Sequence, residues 1–184
     1  MTLTPQHRAF LINEQIIGPV VINFAFNAVT GWWFFRAFTP IPMWTMPGVA
    51  FDLLGLFNGL PFLLTLITTP IVRHQVRKGK VAPLPQGPEA YPILRKLPRG
   101  LFWRATYLGI GAWLIGGPLL FAALWLVGDR MELTTFWIAK GAIAAALSAL
   151  MAPVASFYTL AQESAHASNA SVNEPSVAAP QPAI

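Results

Sequence analysis

Three ionisable side chains stand inside or beside long apolar runs of this sequence: Glu14, Asp52 and Lys140. A lysine at the centre of a bilayer costs about 2.5–3.5 kcal/mol on insertion scales, so such a residue needs a partner or a route to water. Asp52 and Lys140 each lie about 20 residues from the far end of their apolar blocks, roughly 30 Å at helical rise, and so sit at similar depth. A pair between two helices would make a polar gate or a ligand site. The reading favoured by position is different: Lys140 snorkels to the nearer headgroups, and Asp52 serves the first turn of its helix, where negative charge is favourable. Glu14 stands with Asn13 and Gln15 just before an apolar run, where it marks the start of a helix at headgroup level. Pro19 cannot donate to the carbonyl of Gln15, which loosens the helix there.

Amides form the second constellation. Asn23, Asn27 and Thr30 recur at spacings of four and three, which places them on one helix face. Asn58, Thr65 and Thr68 or Thr69 can form a comparable stripe on the next helix. Interhelical hydrogen bonds in membranes average about 0.6 kcal/mol each. The favoured reading is a packing seam between the first two helices. The sharper alternative is a small polar cavity lined by these amides beside the Pro61 and Pro70 breaks. Together Asn23, Asn27, Asp52, Asn58 and Lys140 are the candidate intramembrane polar site.

Other chemistry is missing. The chain has no cysteine, which excludes disulfides, thiolate metal sites and cysteine nucleophiles. His7, His74 and His166 all lie outside the apolar blocks, and no HExxH, GxSxG or P-loop pattern occurs. "GIGAWLIGG", Gly109 to Gly117, lies within an apolar run and reads as close helix packing. No catalytic, cofactor or metal site is expected, and the protein is read as a non-enzyme.

These residues require elements that cross a membrane. Of 184 residues, 55% are hydrophobic and 10% charged, against about 25% charged in soluble domains. The charge deficit falls in four blocks, about 16–35, 48–72, 101–127 and 133–160, each long enough to span a bilayer as a helix. The first lacks a cleavage site and reads as a retained signal anchor. The expected fold is an all-α membrane protein of four transmembrane helices, arranged as two tandem hairpins. Its segments are a cytoplasmic N-terminal stretch (1–15), a first hairpin (16–72), a basic Pro-rich loop (73–100), a second hairpin (101–160) and a disordered cytoplasmic tail (161–184).

The central loop carries Arg73, Arg77, Lys78, Lys80, Arg95, Lys96 and Arg99 against the single acid Glu89, and its prolines suggest an extended, partly polyproline-like path. The positive-inside rule puts this loop and both termini in the cytoplasm. The formal net charge of +5 is concentrated there, so these seven residues are candidate contacts for anionic lipid headgroups rather than for nucleic acid. Small residues recur at helical spacing in the last block (Gly141, Ala145, Ala149, Ala152) and in the third (Ala105/Gly109, Ala112/Gly116). Such faces bring helices close, within the chain, in a homo-oligomer or against a membrane-protein partner.

"LPFLLTLITTPIVRHQV", Leu60 to Val76, resembles the second helix of an uncharacterised bacterial family of two-helix inner-membrane hairpins. The resemblance implies a hairpin-built architecture and carries no activity. "MAPVASFYTL" in the fourth block lacks the basic ending. The expected function is that of a bacterial inner-membrane protein serving as an accessory or assembly subunit. The alternative is a small oligomeric permease whose pathway runs through the polar site.

Overall fold

A computed structural model describes residues 4–173, with side-chain surroundings for 4–165. Four helices are long and apolar enough to cross a membrane: α1 (Pro5–Phe35), α2 (Val49–Arg77), α3 (Leu101–Trp125) and α4 (Leu133–Asn173), whose apolar part ends at Ala165. Helices satisfy their own backbone groups, which is what a lipid environment demands. The chain is an all-α, multi-pass membrane protein.

Local chemistry sets the helix ends. Thr4 caps α1, its hydroxyl accepting from the amide of His7, and Pro5 occupies the first turn. The winding of α1 changes to a π-helix over Phe10–Ile17, immediately before Pro19. In an α-helix the Pro19 ring would collide with the carbonyl one turn earlier, and the wider π turn relieves that clash. Gly79, at φ +70°, ends α2.

The chain alternates direction. At one end Gln6 Nε2 donates to the Lys80 carbonyl (3.1 Å) and the Leu84 amide donates to the Leu160 carbonyl (3.2 Å), so the start of α1, the central loop and the distal part of α4 lie together. At the other end β1 (Ile41–Pro42) pairs antiparallel with β2 (Arg130–Met131), and the Met43 amide donates to the Asp129 carbonyl. This two-residue ribbon ties the two short loops together. Gly48 lies in the same knot. A Cβ there would collide with the Thr45 carbonyl and stand 2.8 Å from that of Pro42.

Of the three consecutive helix pairs, only α2 and α3 pack extensively. α1 packs on α4, α4 on α2, and α2 on α3, whereas α1 and α2, or α3 and α4, touch little. The two hairpins exist in chain order, but the arms of each are not each other's main partners. The expected seam between α1 and α2 is therefore replaced by α4, which stands between them. Its small residues are the reason. A Cβ on Gly141 would lie 3.1 Å from the Phe24 carbonyl oxygen of α1, and Ala144, Ala152 and Ala155 are buried. The small face of α3 works likewise against α2: a Cβ on Gly109 would lie 2.9 Å from the Asn58 carbonyl oxygen.

Two apolar clusters close the ends. One gathers Phe35, Ile41, Met43, Val49, Leu53 and Phe136 beneath the ribbon. The other gathers Val72, Tyr158 and Leu160 with Val81, Leu84, Leu94 and Leu97 of the central loop. That loop is a folded cap with 3₁₀ turns at Pro88–Ala90 and Leu94–Lys96, not the extended arm its prolines suggest. Its four apolar anchors outweigh the preference for extension. α4 also continues through 161–173, the first half of the expected disordered tail. Ala161 is buried, and Gln162 and Glu163 engage Arg73, which holds this stretch in place. The remainder of the tail, 174–184, lies outside the described residues.

Candidate functional site

Lys140 and Asp52 meet. The ammonium Nζ lies 2.8 Å from Asp52 Oδ2 and 2.9 Å from Oδ1, bridging α4 to the first turn of α2. Lys140 is 7% exposed, so it does not snorkel to solvent, while the Asp52 side chain keeps 23% of its surface open. Gly31 of α1 makes the room: a Cβ there would lie 3.1 Å from Lys140 Cδ and 3.5 Å from the Phe136 ring. Nζ also stands 5.9 Å from the centroid of that ring, within cation–π range. Asp52 keeps its expected place in the first turn of α2 and adds the lysine as partner. The result is a closed, electrically neutral pair.

The amides do not join it. Asn23 Nδ2 donates to the carbonyl of Pro19 and Asn27 Nδ2 to that of Asn23, both at 2.9 Å on their own helix. Thr30 likewise bonds the Asn27 carbonyl. Asn27 is buried, Asn23 half-buried. Asn58 is exposed where α2 meets α3, beside Gly109. The five residues of the candidate polar site thus occupy three separate places, and among them only Asp52 and Lys140 meet across two helices.

A denser polar layer forms at the basic end. Glu14, within the π-helical turns, accepts from Gln75 Nε2 (2.8 Å) and pairs with Lys80 (3.0 Å). Gln15 accepts from the buried Ser156 hydroxyl of α4 at 2.7 Å. Glu14 therefore lies well inside a helix that begins at Pro5, and links α1 to α2 and the cap. The His7 ring lies between the Thr4 hydroxyl, 2.8 Å from Nδ1, and the Ala82 carbonyl, 2.9 Å from Nε2, and so ties the start of α1 to the cap.

Arg104, which sequence alone did not single out, is the largest fully buried side chain among the described residues. Its Nη2 donates to the Thr69 hydroxyl of α2 (3.1 Å), Nη1 reaches the Arg99 carbonyl (3.4 Å), and its guanidinium carbon lies 4.2 Å from the Tyr158 ring centroid of α4. One side chain in the first turn of α3 thereby binds three parts of the fold. The available signal was an arginine three residues into an apolar block, within the range in which a buried cation has to find partners.

The seven basic candidates divide. Arg73 engages Glu163 and Gln162, Lys80 engages Glu14, and Arg99 engages Glu89. Arg77, Lys78, Arg95 and Lys96 are exposed and have no ion-pair partner among the described residues. Grooves open on the sides of the bundle. One of about 410 Å³ lies between Leu11 of α1, Val154 and Phe157 of α4, and Tyr91 and Ile93 of the cap. Burial raises the Tyr91 phenol above its usual pKa, so it stays neutral. Another of about 450 Å³ lies against Leu54, Trp113 and Phe121. Among the described residues no group of three or more metal-ligating side chains comes together.

No family model, curated protein or solved structure matches this chain.

Proposed function

We propose that this is a non-enzymatic integral protein of the bacterial inner membrane that serves as an accessory or assembly subunit. It holds a membrane-protein partner by helix packing and turns its basic end to the cytoplasmic leaflet. The observation that carries this reading is the separate closure of the intramembrane polar groups. Asp52 and Lys140 neutralise each other, Asn23 and Asn27 bond their own helix, and Asn58 stands apart. A solute pathway needs polar groups aimed at a shared space, and their separation argues against a permease built from this chain alone. Helices α1 and α3 end the packing order with one neighbour each. Their open sides carry Ile22, Phe26 and Val29 on α1, and Leu114, Ile115 and Leu119 on α3, broad apolar surface on which a partner helix can pack.

Orientation follows from charge: Arg77, Lys78, Arg95 and Lys96, without ion-pair partners among the described residues, stand at one end, and by the positive-inside rule that end, with both termini, faces the cytoplasm. The test is native mass spectrometry of the protein extracted from its own membrane into lipid nanodiscs. A co-isolated membrane protein supports the assembly reading. A homo-oligomer that retains a small polar molecule overturns it in favour of a permease.

A further inference from the structure

The groove bounded by α1, α4 and the cap lies at the basic end of the molecule. Its walls are apolar: Leu11, Val154, Phe157, Ile93 and the ring face of Tyr91, with Tyr91 and Phe157 in edge contact at 5.3 Å. Its volume, about 410 Å³, falls in the range of sites that hold small ligands. Basic residues adjoin these walls along the chain. Arg95 and Lys96 directly follow the groove residues Ile93 and Leu94, and Arg8 precedes Leu11 by three positions, on the same side of α1. All three cations are exposed. The described acids of this end pair with other cations, Glu14 with Lys80, Glu89 with Arg99 and Glu163 with Arg73.

From this we infer that the groove is a binding site for one anionic phospholipid, with an acyl chain against Leu11, Val154 and Phe157 and the phosphate among Arg8, Arg95 and Lys96. Charge complementarity selects this occupant over a zwitterionic lipid or an apolar helix. The folded cap matters here, because the 3₁₀ turn at Leu94–Lys96 holds the two cations beside the groove instead of leaving them on a swinging arm. The inference deepens the reading that the basic end faces an anionic leaflet, and it rests on that reading.

The test uses the full chain in nanodiscs of equal parts phosphatidylglycerol and phosphatidylcholine, with retained lipid counted by native mass spectrometry. The wild type should keep one phosphatidylglycerol in preference to phosphatidylcholine. Replacing both cap cations (Arg95→Ala with Lys96→Ala) should lower that preference by about 25-fold, at roughly fivefold for each cation near a membrane surface. Val154→Trp should fill the groove and abolish retention of the tightly held lipid. Ile93→Trp should do the same from the cap side, and Ile93 is 77% exposed, so the fold does not depend on it. Equal retention of the two lipids by the wild type would overturn the site. So would undiminished phosphatidylglycerol in both tryptophan variants, or a second copy or another helix found in the lipid's place. Failure of the orientation reading is a different result: a single cysteine at Lys78 labelled from the periplasmic side, whatever lipid the nanodiscs retain.

Discussion

Replacing Asp52 by asparagine should cost far more than replacing Lys140 by methionine, although the two residues form one pair. Removing one partner of a fully buried ion pair costs about 3–5 kcal/mol, because the other charge is left without compensation. Asp52→Asn strands an ammonium on a residue only 7% exposed, walled by Phe136 and by the α1 backbone at Gly31, so the expected loss is about 3 kcal/mol. Lys140→Met strands a carboxylate whose side chain is 23% open and which sits in the first turn of α2. Water and the helix N-terminus, the latter worth about 0.3–1 kcal/mol, limit that loss to about 1 kcal/mol. The double variant is neutral and nearly isosteric, and should lose about 1 kcal/mol. The cycle then gives a coupling of about 3 kcal/mol, the upper range for contacting residues. Reversible unfolding in mixed detergent micelles, followed by the fluorescence of the seven tryptophans, would measure it. Equal losses in the two single variants, or a double variant that loses their sum, would refute the reasoning.

Other outcomes follow from single contacts. Arg104→Lys should lower the melting temperature in detergent by an amount equivalent to about 1–2 kcal/mol, since an ammonium cannot bond Thr69 and stack on Tyr158 together. Gly48→Ala should destabilise by about 1–3 kcal/mol through collision with the carbonyls of the loop, whereas Gly59→Ala, with open space at its Cβ, should be neutral or stabilising by up to about 1 kcal/mol in the same unfolding assay. Asn23→Ala should change stability by no more than about 0.5 kcal/mol, because its amide serves only its own helix.

The spans were legible because a bilayer imposes a length and an apolar composition that the sequence displays openly. The matched depth of Asp52 and Lys140 was legible too, since helical rise converts position into distance. Which helices touch was not. Sequence order made α1 and α2 neighbours, but α4 stands between them, because Gly141 and the alanines around it let two helices approach. With that change the Asn23–Asn27 stripe lost its expected partner and closed on its own backbone. The fold of the cap was hidden because its five prolines favour extension, whereas the burial of Val81, Leu84, Leu94 and Leu97 depends on tertiary contacts. Arg104 escaped notice because it stands near a helix start, where cations are usually solvated. Its burial comes from Thr69 and Tyr158, residues distant in sequence.

The proposed role is association with another membrane protein, not carriage of a solute. The most direct measurement places a photo-crosslinking residue at Ile22, Phe26 and Val29 of α1, one at a time, in the native membrane. A discrete adduct with another membrane protein is expected from these positions, and none from Ala144, which is buried between helices of this chain. Adducts with lipid alone at all three positions, together with solute flux in liposomes containing only this chain, would contradict it.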